Sequence, residues 1–178
     1  FAVSSNTGFV QVIQAIGADK VVSMAHTLGV DVDIPAYDSI TLGTEGVPVV
    51  QMAESYATIA SGGVHRDAIA ITKIEDRNGN TVYEHADSPT QAVSSAVASA
   101  ALDVMEGVCR GSGTANSLQS LVSVDQPLAG KTGTSENYRD LWFCGVTPQL
   151  SVAVWCGYSE ESPVHVYGSN GHPYNTSV

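Results

Sequence analysis

Basic residues are scarce in this chain: seven Lys and Arg stand against 18 Asp and Glu, a formal net charge of −11 over 178 residues. A surface this acidic repels phosphate backbones and anionic lipid, so nucleic-acid binding is disfavoured. Cysteine is equally thin, with Cys109, Cys144 and Cys156 only. Three thiols are too few for a disulfide framework, and their spacing is not that of a zinc finger. Cys144 and Cys156 sit in apolar runs beside Phe143 and Trp155 and are expected to be buried free thiols. No apolar run approaches the ~18 residues that a membrane span requires. Phe1 opens with neither the basic nor the apolar region of a signal peptide; a segment upstream could have carried either. The five histidines (His26, His65, His85, His165, His172) are scattered without metal-ligand spacing, so they are expected on the surface, and no metal or cofactor is expected.

What is present is globular: 43% of residues are hydrophobic and 14% charged, and the length suits one domain or most of one. Asn6 or Thr7 is placed to cap a helix with an apolar face of Phe9, Val12, Ile13 and Ile16, ended by Gly17. A second short helix is expected from about residue 19 to 28, stopped by Gly29. Residues 30 to 46 show no sustained period and read as a long loop. Pro48 suits the first turn of a third helix with a stripe of Met52, Ala53, Tyr56, Ala57 and Ala60, stopped at Gly62-Gly63.

From Ala68 the period changes to two, through Ile69, Ile71 and Ile74. Asp76-Arg77-Asn78-Gly79-Asn80 is a turn, and Thr81-Val82-Tyr83 returns, which predicts a β-hairpin. Gln91 to Cys109 reads as an Ala-rich helix with a core stripe of Val93, Val97, Ala101, Val104, Met105 and Val108. Three strands follow: a short Gly-flanked one over 128–134, then 141–146 and 150–158. Trp142, Phe143 and Trp155 are expected in the core. After Ser159 the chain turns polar and rich in Gly and Pro. Helices, a hairpin, a helix and then strands close in sequence predict an α+β fold, with an antiparallel sheet flanked by helices.

Two short patterns carry chemistry. Lys131-Thr132-Gly133-Thr134 sets an ammonium beside hydroxyls on a Gly-flanked strand, a good site for a carboxylate. Gly133 lets a ligand backbone lie close. Alone, this pattern fits an edge strand with a solvated lysine at least as well. Ser4-Ser5-Asn6 precedes a helix, and alone it fits plain capping better than catalysis.

Together the two are far more specific. Lys-Thr-Gly with Ser-x-Asn well upstream are two of the three signatures of the active-site serine acyl transferases that include β-lactamases and penicillin-binding proteins. Over residues 3 to 158 the chain resembles the C-terminal part of the transpeptidase domain of a class A (bifunctional) penicillin-binding protein. The resemblance also runs through Leu42-Gly43-Thr44-Glu45, Met52 to Gly63, Lys73 to Gly79, Asp103 to Val108, Gly113-Thr114-Ala115, Ala129 to Asn137, Arg139-Asp140, Trp142-Phe143, Thr147-Pro148-Gln149 and Val154-Trp155. The third signature, Ser-x-x-Lys, is missing: no serine has a lysine three positions on. In the family it lies upstream of Ser-x-Asn, so residues 1–178 are expected to be a C-terminal portion of the domain without its nucleophile. A degenerate homologue that has lost the serine is the alternative.

The resemblance implies a serine β-lactamase-like α+β fold and a D,D-transpeptidase activity on the D-Ala-D-Ala stem peptides of peptidoglycan, with β-lactams as substrate mimics. It implies roles at matching positions. Ser4 would relay a proton, Asn6 would bond the substrate amide, and Lys131 would set a positive potential. Thr132 and Thr134 would bind a terminal carboxylate beside Gly133, and the Thr134 N–H would be half of an oxyanion hole. Ser135 and Asn137 would lie close enough to tune the site. The partners implied are stem peptide, β-lactams and the upstream part of the same protein. The location implied is extracytoplasmic, with a membrane anchor outside these residues. The isolated chain is expected to be inactive and to expose apolar surface. Two other readings are a serine β-lactamase, for which Glu45 is a poor deacylation carboxylate, and a non-catalytic ligand-binding or scaffold domain on the same fold.

Overall fold

The computed structural model describes residues 1–121, 126–160, 162–165 and 167. Most of the polar tail expected after Ser159, His172 included, lies outside them. The elements run α1 (Asn6–Ile16), α2 (Ala18–Thr27), a 3-10 turn (Asp38–Leu42), α3 (Val49–Ala60), β1 (Val64–His65), β2 (Lys73–Glu75), β3 (Thr81–Glu84), β4 (Thr90–Gln91), α4 (Ser95–Glu106), a 3-10 turn (Asn116–Ser120), β5 (Ala129–Thr134), β6 (Asp140–Val146) and β7 (Ser151–Gly157). The class is α+β, as expected.

The three C-terminal strands form one antiparallel sheet in the order β5-β6-β7. Register is continuous, with Lys131 opposite Cys144, Thr132 opposite Phe143 and Trp142 opposite Trp155. Helix α3 packs across β6 and β7, while α4 packs on β5 and α3. Two small cores result. Met105 of α4 meets Ala129 and Val146, flanked by Tyr56, Ile59, Ala60 and Leu102. Val108, Cys109 and Ala115 form the second, flanked by Leu118, Leu128 and Phe143. Burying a side chain such as Val108 contributes about 1.5–3 kcal/mol, which helps to hold the end of α4 against the sheet.

Local chemistry moves several expected boundaries. Helix α1 is capped by Ser5, whose Oγ accepts from the Gly8 N–H at 3.3 Å, rather than by Asn6 or Thr7. Helix α4 starts at Ser95, not Gln91, because Ser94 caps it through the Val97 N–H and the preceding residues are drawn into β4. There the Ala92 N–H donates to Gly63 O at 2.8 Å and Gln91 Nε2 bonds Gly62 O. The hairpin forms, but only Ile74 of its expected isoleucines lies in a strand; Ile69 and Ile71 precede β2. Its turn is built by Asp76, whose carboxylate accepts from the Asn78 and Asn80 N–H groups and from Asn80 Nδ2. Those bonds hold its pKa below the usual carboxylate range.

Not every apolar residue is covered. Val97 and Val104, expected in the α4 core stripe, are 55% and 50% exposed. On β7, an edge of the sheet, Val152, Val154 and Trp155 are also exposed. The core side of α4 is made by Met105, as expected, and by Ala98, which was not in the expected stripe, with Val108 buried just beyond the helix. Among the described residues no helix is long and apolar enough to cross a membrane.

Candidate active site

The short run before α1 is a turn, closed by the Ser4 N–H donating to Phe1 O at 2.9 Å. It leaves Ser4 at φ 51, in the left-handed region that non-glycine residues seldom occupy. Backbone held there costs on the order of 1 kcal/mol and persists only where its surroundings fix it. Here the surroundings are Lys131. Its Nζ donates to Ser4 Oγ at 2.6 Å and to the Thr132 carbonyl at 2.7 Å. The rings of Phe1 and Phe9 flank the ammonium, with centroids 5.9 and 6.0 Å from Nζ, and they contact each other at 5.6 Å. Phe9, expected only as a face of α1, is therefore a wall of this site.

Burial pulls the Lys131 pKa below that of an ordinary lysine, because the charged form is taken out of water. An ammonium of reduced proton affinity bonded to a hydroxyl is chemically able to pass a proton along that bond. Ser4 Oγ accepts from the lysine and keeps its own proton to donate.

The rest of β5 divides. Thr132 is buried, 5% exposed, with Oγ1 2.6 Å from Thr114 Oγ1. Thr134, at the end of the strand, is exposed, as is Asn6 at the start of α1. Gly133 faces its register partner: a Cβ there would stand 3.2 Å from Trp142 Cβ. Its bareness thus serves sheet packing as well as any approach by a ligand. Among the described residues strand β5 is an edge of its sheet, and an edge strand can pair with an extended peptide.

The connection after Thr134 is held by Asp140. Its carboxylate accepts from Ser135 Oγ at 3.0 Å and Trp155 Nε1 at 2.9 Å, and its N–H donates to Ser135 Oγ at 2.8 Å. Asn137 and Tyr138 between them both take positive φ, 57 and 56. Tyr138 O accepts from the Val164 N–H at 2.8 Å. Trp155, expected in the core, is 39% exposed, because its indole is turned to this carboxylate. Sequence patterning gave no signal for Asp140 or Thr114 beyond their place in the resemblance, since neither lies on a periodic face.

Other candidates separate from this cluster. Glu45 is engaged by the Tyr37 hydroxyl. His65 is not a surface residue but is partly buried, with Nδ1 3.0 Å from Thr58 Oγ1 and Nε2 3.3 Å from Asp67 Oδ1. Cys109 and Cys144 are buried, whereas Cys156 is exposed, against expectation; β7 has no element over its outer face among the described residues. No group of three or more His, Cys, Asp or Glu gathers as a metal site among those residues.

A serine one residue before a helix cap is thus bonded to a lysine on an edge strand of an antiparallel sheet backed by helices. Residues 1–167 match the family model described as the penicillin binding protein transpeptidase domain, and the chain belongs to that family. It is 34% identical over 157 residues to penicillin-binding protein 1A of Clostridium novyi, covering 85% of this chain and 18% of that protein. With penicillin-binding protein 1B of Haemophilus influenzae it shares 32% over 169 residues, 94% of this chain and 21% of the relative. The solved imipenem acyl-enzyme complex of penicillin-binding protein A from M. tuberculosis superposes with a TM-score of 0.73 at 25% identity, over 90% of this chain and 42% of that one. The chain thus spans only about a fifth of the length of these curated relatives.

Proposed function

We propose that the chain supplies the substrate clamp and proton relay of a peptidoglycan D,D-transpeptidase whose nucleophilic serine lies in an upstream part of the same protein. The observation that carries this reading is the 2.6 Å bond from Lys131 Nζ to Ser4 Oγ. It joins the two signatures the chain holds.

In this reading the upstream serine oxygen adds to the carbonyl carbon between the two terminal D-alanines. The serine proton passes through Ser4 to the leaving nitrogen as the C–N bond breaks, and D-alanine departs. An amine of a neighbouring stem then attacks the ester, forms the crosslink and returns a proton to the serine. Lys131 and the hydroxyls of Thr132 and Thr134 hold the terminal carboxylate, Asn6 bonds the substrate amide, and the Thr134 N–H is half of the oxyanion hole. A β-lactam enters as the substrate mimic and stays as the acyl-enzyme.

The exposed apolar faces of α4 and β7 suit the reading, since the remainder of a transpeptidase domain would cover them. The parent is a bifunctional, membrane-anchored, extracytoplasmic protein, and this chain alone is inactive. The test is intact-protein mass spectrometry after exposure to a reporter penicillin, with the chain alone and with its upstream polypeptide. An adduct only in the second case, mapped to an upstream serine, is expected. An adduct on the lone chain would put the nucleophile elsewhere. No adduct in either case would leave a non-catalytic domain on the same fold.

A further inference from the structure

Thr114 lies outside both signatures yet touches the flank of each. Its N–H donates to Ala2 O at 3.1 Å, two residues before Ser4, and its Oγ1 stands 2.6 Å from Thr132 Oγ1, next to Lys131. The chain reaches this position by folding back on the end of α4, where the Ala115 N–H donates to Val108 O at 2.9 Å. Gly113 permits the fold-back: a Cβ there would stand 2.2 Å from Val108 O and 2.3 Å from Gly107 O.

A threonine hydroxyl has one proton to give and two lone pairs. Two hydroxyls facing each other at 2.6 Å share one hydrogen bond, and its direction decides what the pair offers a third group. If Thr132 donates to Thr114, it has only lone pairs for an anion. If Thr114 donates, the Thr132 proton is free to bond a carboxylate, and the chain of bonds strengthens it. We propose that Thr114 is a positioning residue: by donating to Thr132 it directs the Thr132 proton to the carboxylate of the ligand, and so sets the preference of the site for ligands bearing one. This rests on the transpeptidase reading above.

The test uses the parent protein with its upstream polypeptide. Acylation rate constants are measured for a penicillin and for its methyl ester, in wild type, Thr114→Val and Thr114→Ser. Wild type is expected to prefer the free acid. Thr114→Val is expected to lose a few-fold on the acid, because Thr132 keeps its proton but loses the bond that orients and strengthens it, with the ester rate little changed. Thr114→Ser is expected to restore the preference. Thr132→Val is expected to lower it similarly, and the double variant to add nothing further. Equal losses on acid and ester would show a purely structural role and overturn the proposal, as would no loss on either. Where Thr114→Val melts below the assay temperature, Thr114→Ala carries the same comparison. A wild-type parent that no penicillin acylates fails the transpeptidase reading itself, and this proposal with it.

Discussion

Ser4 and Lys131 are 127 residues apart in the chain and bonded at 2.6 Å in the fold. The contact requires β5 to lie beside the start of α1. It also requires a serine held at positive φ, where the turn from Phe1 aims its hydroxyl at the ammonium.

Removing the Ser4 hydroxyl should separate chemistry from folding. In the parent protein, Ser4→Ala is expected to lower the rate of penicillin acylation by roughly 10²-fold or more, the usual range for a lost proton-transfer group. The melting temperature should fall only slightly, since alanine gives up one bond to Lys131, which keeps its bond to the Thr132 carbonyl, but no core contact. Equal acylation rates in stopped-flow would remove Ser4 from the proton path.

Lys131 should titrate early. Burial lowers its pKa from the ordinary value of 10.5. Between the lowered value and 10.5 the unfolded chain binds more protons than the folded one, so folding stability should rise with pH across that window. Below it, the cost of the buried charge is fully present. Lysine side-chain NMR of labelled protein checks this directly, with Lys131→Met identifying the resonance. A midpoint at or above that of the exposed lysines would contradict the burial argument.

The three thiols should behave as two classes. Cys156 is exposed, while Cys109 and Cys144 are buried, and burial raises the thiol pKa of Cys144 to about 11 and that of Cys109 in the same direction. At pH 8, Ellman's reagent should find one fast thiol in the native protein and three after denaturation. Between pH 9 and 11 the folded chain keeps the Cys144 proton that the unfolded chain loses, so stability should fall there, opposite in sign to the Lys131 contribution. Loss of the fast phase in Cys156→Ser assigns it.

Thr58 should matter to stability alone. It is 1% exposed, and its hydroxyl is bonded to the Glu54 carbonyl at 3.0 Å and His65 Nδ1 at 3.0 Å, with Leu28 O at 3.3 Å. It therefore joins α3 to the end of α2 and to β1. Thr58→Val keeps the volume but strands these partners, at a cost of about 1–3 kcal/mol. Urea unfolding should show a lower midpoint at unchanged slope. An unchanged midpoint would mean that water replaces the hydroxyl.

Much of the local structure was legible in the chain. The helix over Phe9, Val12, Ile13 and Ile16, the Pro48 start, the Asp76 to Asn80 turn and the three apolar strands appear where expected, although Val12 and Ile16 of that helical face are exposed. What failed did so where a competing local bond intervened. Ser5 took the cap from Asn6 because its own hydroxyl reaches the Gly8 N–H. Residues 91 to 93 left the helix because Gly63, at φ +85 and without a side chain, admits their backbone against its own. Cys156 was expected inside because alternation along a strand fixes which residues share a face but not whether that face is covered, and Trp155 because its bond to Asp140 depends on a neighbouring strand.

By itself the sequence determined which groups are available and where the chain bends, because helix caps, turns and strand periods depend on neighbours within a few residues. Ser-x-Asn and Lys-Thr-Gly are of that kind. Only the tertiary structure decided that they form one site. It also decided that Phe9 walls the ammonium, that Thr114 bonds Thr132 and that Asp140 reaches both Ser135 and Trp155. Each of those contacts depends on a distance between chain segments that no local propensity carries, and sheet register and helix packing supply it.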